Sequence, residues 1–112
     1  MKTYYPEPRE RWTAPAALLT DRFTRAETTR GFTTLGDTDA EIIRFSGVPN
    51  RIELLLELFD AIITPRTRGE QEIQTITMRA GQSLQLDLAV GIIVARNAVA
   101  GSNARLQVIG RY

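Results

Sequence analysis

The chain has 112 residues, 43% of them hydrophobic, and a net charge of +1. That supports one modest core, is too apolar for a disordered chain, and gives no global attraction to nucleic acid or an anionic membrane. There is no cysteine and no histidine, which excludes disulfides, thiol catalysis and thiolate metal sites and removes the commonest general base and metal ligand.

Residues 1–12 read as an extended arm. Pro6 and Pro8 lack amide donors and push Tyr5 and Glu7 toward extended geometry. The start, Met1-Lys2-Thr3-Tyr4-Tyr5, has no apolar core of a secretory signal. Tyr4, Tyr5 and Trp12 are large apolar surfaces in a segment without a core of its own. They either fold back on the domain or bury against another chain, where aromatic residues are enriched. In 13–30, Ala16-Ala17-Leu18-Leu19 suits a short helix capped by Thr13, with Pro15 in its first turn. Arg9, Arg11, Arg22, Arg25 and Arg30 are offset by Glu7, Glu10, Asp21 and Glu27, which fits a solvated face or interchain ion pairs.

Gly31 to Leu35 reads as a strand, 36–39 as a turn, Ala40 to Phe45 as a second strand and 46–50 as a turn. Residues 51–64 admit two readings. As a helix, Ile52, Leu55, Leu56, Phe59, Ile62 and Ile63 form one stripe, with Asn50 and Glu53 in a capping-box-like pair. As a strand, Ile52, Leu54, Leu56 and Leu58 face inward while Glu53, Leu55, Glu57 and Phe59 face outward. The short turns on either side favour the strand.

Thr64 to Gly69 reads as an exposed loop carrying Arg66 and Arg68. Glu70 to Arg79 is a further strand. In Ser83 to Val90, Leu84, Leu86, Leu88 and Val90 alternate with Ser83, Gln85, Asp87 and Ala89, the period of a strand with one buried face. Gly91 suggests a bulge or a close backbone approach. Ile92 to Ala95 is a buried strand, 97–103 a loop, and Ala104 to Ile109 the last strand.

About six or seven short strands, with turns roughly every ten residues, indicate an all-β fold. The expected architecture is an antiparallel β-sandwich or small barrel over residues 31–112, preceded by an arm and irregular segment over 1–30. Leu84, Leu86, Leu88, Ile93, Leu106 and Val108 are the expected inter-sheet core.

Candidate chemistry is sparse. Asp37-Thr38-Asp39-Ala40-Glu41 is oxygen-rich but lacks the glycine and distant bidentate glutamate of an EF-hand, so carboxylates satisfying turn amides are the simpler reading. Glu53, Glu57 and Asp60 fall on a polar face rather than in a cleft. Ser46 and Ser83 lack the glycine pattern of a nucleophile elbow, and the only lysine available to activate a serine is Lys2. Arg66 and Arg68, without interleaved aromatics, are a weak phosphate-binding signal. These readings predict a non-enzymatic protein without cofactor, metal, small-molecule substrate, nucleic-acid or membrane partner.

The run from Thr75-Ile76-Thr77-Met78-Arg79-Ala80-Gly81-Gln82-Ser83-Leu84 through Ile92-Ile93-Val94 to Leu106-Gln107-Val108-Ile109-Gly110-Arg111-Tyr112 resembles small all-β virion proteins of tailed bacteriophages, of the head decoration (cement) or spike type. The resemblance covers the C-terminal third and carries no functional residues across. It implies a structural role: self-assembly into a homo-oligomer, docking on other virion proteins, and residence in the virion; without a phage origin the expected location is cytoplasmic. Tyr4, Tyr5, Trp12, Arg66 and Arg68 are the candidate interaction residues. The competing reading is a carbohydrate-binding sandwich using Trp12, Tyr5 or Tyr112 as stacking platforms.

Overall fold

The computed structural model describes residues 25–112. Among them the chain forms β1 (Ala26–Thr28), β2 (Thr33–Thr34), β3 (Ala40–Arg44), β4 (Arg51–Glu57), β5 (Ala61–Arg66), β6 (Ile76–Met78), β7 (Ser83–Leu86), β8 (Ile92–Asn97) and β9 (Arg105–Arg111). The first sheet runs β1-β9-β4-β7, with β2 also on β9; the second runs β3-β8-β5-β6. All pairings are antiparallel. Because β1 and β2 share one flank of β9, they act as one interrupted edge strand. Successive strands then alternate between sheets except at the β5–β6 hairpin, which is the connectivity of a jelly-roll sandwich.

The centre of the first sheet is written in period two. Ile52, Leu54 and Leu56 of β4 are buried, as are Leu106 and Val108 of β9. Register places Leu54 opposite Val108 and Leu56 opposite Leu106, so the apolar side chains meet in cross-strand pairs. Burying each such side chain contributes about 1.5–3 kcal/mol. Ile63, Met78, Leu86, Ile93 and Ala95 close the core from the other strands, and Val90 from the turn between β7 and β8.

Segment 51–64 is therefore strand and not helix, but it is two strands. Leu58 takes a left-handed backbone (φ 78°), ending β4, and the chain crosses to the second sheet as β5. Leu58, expected inside, is 58% exposed.

Three other expectations need correction. Residues 64–66 are not loop: Thr64 and Pro65 are buried in β5, and Arg66 is its last residue. The Pro65 carbonyl accepts from the Ile73 amide. A strand residue's N–H and C=O point the same way, so the missing donor faces a flank where the β6 ladder has already ended at Ile63–Ile76. Glu70 to Arg79 contributes only β6 and a lone bridge between Arg66 and Glu72. The alternation over 83–90 overreaches: β7 stops at Leu86, and Leu88, expected in the core, is 39% exposed.

Gly91 makes the expected close approach. A Cβ there would lie 2.9 Å from the backbone N and Cα of Arg68, while the Gly91 amide donates to the Arg66 carbonyl and its own carbonyl accepts from Phe45.

Candidate functional site

The sandwich has two ends of different character. Turns 35–39, 58–60, 79–82 and 98–104 lie at one, the distal end. Turns 45–50, 67–75 and 87–91 lie at the other, the proximal end, with Arg25 and Tyr112.

At the proximal end, Tyr112 is the hub. Its amide donates to the Arg25 carbonyl at 2.8 Å, and its hydroxyl donates to the Glu27 carboxylate and accepts from the Gly47 amide at 3.2 Å. Glu27 also accepts from the Ser46 amide at 3.0 Å. The Arg25 guanidinium lies over the Tyr112 ring at 4.0 Å, a cation–π contact. Donation from Tyr112, then from Ser46, holds the Glu27 carboxyl down at about 2. Arg68 reaches the same turn, its Nη1 donating to the Ser46 carbonyl at 2.7 Å.

At the distal end, a buried amide holds two turns together, 35–39 and 98–104. Asn97 Nδ2 donates to Asp37 Oδ1 and Asn103 Oδ1, each at 2.9 Å, and Asn97 Oδ1 accepts from the Ala104 amide at 3.0 Å. Asp37 Oδ1 also takes the Gly101 amide. Donation from Asn97, then from Gly101, lowers the Asp37 carboxyl below its ordinary value. The β4–β5 and β8–β9 turns are joined directly, the Ala98 amide donating to the Asp60 carbonyl at 3.1 Å. These two joined turns carry Leu58, Phe59 and Val99, exposed by 58%, 47% and 62%. Asp60 Oδ1 accepts from the Ala80 amide, which ties in the β6–β7 turn.

The candidates from sequence fare unevenly. Tyr4, Tyr5 and Trp12 lie outside the described residues. Arg66 sits on the outer face of the second sheet, directly across from Ile92, with Arg44 on the other side of Ile92. Ile92 is buried there, so the two aliphatic stems flank an apolar residue. Arg66 Nη2 lies 3.7 Å from Glu72. Arg68, two residues on, is committed to Ser46 at the proximal turn. Arg68 is thus part of the scaffold, while the Nε of Arg66 is buried without a hydrogen-bond partner.

The carboxylates are likewise engaged. Glu53 pairs with Arg111 at 3.0 Å and Glu57 with Arg105 at 2.9 Å across the β4–β9 ladder, so they form no acid/base pair. Asp39 pairs with Arg96 and Glu41 with Arg44, which disperses the oxygen-rich 37–41 run among separate partners. Tyr112, considered as a stacking platform, has its ring covered by Arg25. A shallow groove along the β4–β7 seam is lined by Glu53, Leu54, Leu55, Ser83, Leu84 and Gln85, without an aromatic ring. Sequence reasoning passed over Glu27, Asn97 and Val99. Only Val99, an apolar residue in a loop bounded by Gly101, carried a visible signal.

No family model matches the chain, and no curated protein sequence matches it. A solved structure described as "Bacillus endospore appendages form a novel family of disulfide-linked pili" contains a similar chain, at 15% identity and a TM-score of 0.53. The likeness covers 79% of this chain and 86% of that one, and it places the two in the same type of fold. The phage resemblance has no counterpart in these comparisons.

Proposed function

We propose that the protein is a structural subunit that assembles with copies of itself, the jelly roll serving as the building block. The observation that carries this reading is where the polar groups go. The carboxylates and arginines that sequence raised as candidate chemistry are spent on cross-strand pairs, turn amides and the covering of Ile92. Among the described residues, the large apolar side chains left exposed are Leu58, Phe59 and Val99 on the joined distal turns, and Val48 and Leu88 at the proximal end. Exposed apolar clusters on small domains mark protein contacts.

The likeness to a pilus chain supports the same reading, since that protein is described as forming pili. It is described as disulfide-linked, whereas this chain has no cysteine, so no disulfide within this sequence joins its copies. The texture of residues 75–112 favours a finer reading, a tailed-phage virion component such as a decoration or minor head or tail protein, non-enzymatic and resident in the particle. Negative-stain imaging of the concentrated full chain tests the general reading. Regular rings, filaments or lattices are expected; a field of isolated particles of single-domain size overturns it. Binding to purified phage heads or tails tests the finer one.

A further inference from the structure

We propose that the distal face made by Leu58, Phe59 and Val99 is the docking site for the segment 1–24 of a second copy, so that subunits join head to tail. This rests on the self-assembly reading above and specifies its interface.

The described chain begins at the proximal end. Arg25 is pinned at the proximal end by the Tyr112 amide and stacked on the Tyr112 ring, and β1 pairs with the end of β9 through Ala26 opposite Arg111. The described chain therefore begins at the end opposite Leu58, Phe59 and Val99. The two ends lie apart by at least the length of β9, about 20 Å at the rise of an antiparallel strand. Stacking one copy on another end to end brings the proximal end of one against the distal face of the next.

Segment 1–24 carries Tyr4, Tyr5, Trp12, Leu18, Leu19 and Phe23, a supply of apolar side chains to match an apolar face. Extended, it reaches at most roughly 80 Å, ample to cross a junction between stacked domains.

The backbone of Leu58 points the same way. A left-handed conformation costs a leucine roughly 1–2 kcal/mol, and glycine would make the same turn without that cost. The strained leucine is spent on an exposed side chain, the pattern of a position kept for contact rather than for folding. A segment joined at one end and an acceptor at the other make a heterologous relationship, which propagates into a ring or a filament and does not close as a two-fold dimer.

The test uses the full chain, in which Trp12 is the single tryptophan and so reports on the segment alone. Tryptophan emission and sedimentation velocity are followed together over a concentration series. In the wild type, emission shifts to the blue in step with the growth of larger species. Phe59→Asp and Val99→Asp, on separate turns, each raise the concentration of half-association about tenfold or more, the equivalent of about 1.4 kcal/mol. In each, Trp12 stays solvent-exposed while the far-ultraviolet dichroism remains that of the wild type. A variant carrying Tyr4→Asp, Tyr5→Asp and Trp12→Asp is equally impaired, yet it pairs with Phe59→Asp, because one supplies an intact face and the other an intact segment. If the wild type assembles and both distal variants assemble as it does, the docking site is wrong while self-assembly stands. If Trp12 emission is blue-shifted at every concentration in a chain that stays monomeric, the segment folds on its own domain, and both the docking site and the self-assembly reading fall.

Discussion

The Tyr112 hydroxyl donates to the Glu27 carboxylate, tying β1 at the edge of the first sheet to the residue that follows β9. The Ser46 amide meets the same carboxylate, so one charged group joins three segments at the end where Arg25 lies.

This bond makes a sharp acid-pH prediction. The Glu27 carboxyl is lowered from its ordinary 4.5 to about 2, so the folded chain keeps it ionised at a pH where the unfolded chain protonates it. Its stabilisation is present in full above about 4.5 and is lost as pH falls through about 2. Glu27→Gln lowers the thermal midpoint at neutral pH, and its deficit against the wild type shrinks between pH 4.5 and 2. A deficit that does not change with pH contradicts this account. Tyr112→Phe, which removes the leading cause of the shift, moves the Glu27 carboxyl resonance midpoint up toward 4.5.

Asn97 predicts a larger loss. Its amide makes three hydrogen bonds in a buried position, and Asn97→Ala leaves the Ala104 amide without its acceptor. Denaturant unfolding shows a loss of about 2–4 kcal/mol, the range for breaking a buried polar network. A loss under about 0.5 kcal/mol, the level of a neutral surface change, contradicts the network's role.

Glycines separate close approach from open space. Gly91→Ala places a Cβ 2.9 Å from the Arg68 backbone and destabilises by about 1–3 kcal/mol through overpacking. Gly36→Ala meets nothing within 4 Å and leaves the midpoint of unfolding within error of the wild type. Equal effects at the two positions contradict the close approach of Gly91 to Arg68.

Much of this architecture is legible in the sequence, for a definite reason. In β9 the alternation is regular, so Leu106 and Val108 announce themselves; in β4 the apolar Leu55 breaks the outer face and leaves a helical stripe equally legible, so that only the flanking turns favour the strand. Leu88 continues an alternation that the backbone does not follow: the ladder to β4 ends at Ile52–Leu86, and beyond it the chain turns toward β8. Leu58 fails likewise, because a positive φ at leucine is invisible to a pattern of apolar spacing. Pro65 reads as a breaker, yet it is tolerated because its missing donor falls where no partner strand runs. Glu27 and Asn97 are legible only once sequence-distant turns are brought together, since their partners lie 19 to 85 and 6 to 60 residues away.

Leu58 itself supplies a test that separates folding from function. Leu58→Gly removes the left-handed penalty of roughly 1–2 kcal/mol and adds back up to about 1 kcal/mol of unfolded-chain entropy. The unfolding midpoint holds or rises slightly even though a large side chain is gone, while self-association weakens. A clear fall in stability would assign Leu58 to the core instead.

The central claim, that this domain is a building block, is tested most directly by sedimentation of the wild-type chain from about 1 μM to about 1 mM, which spans roughly 4 kcal/mol of association free energy. The account predicts a weight-average mass that climbs with concentration through regular multiples of the subunit. A single species of one-subunit mass across the whole range would contradict it.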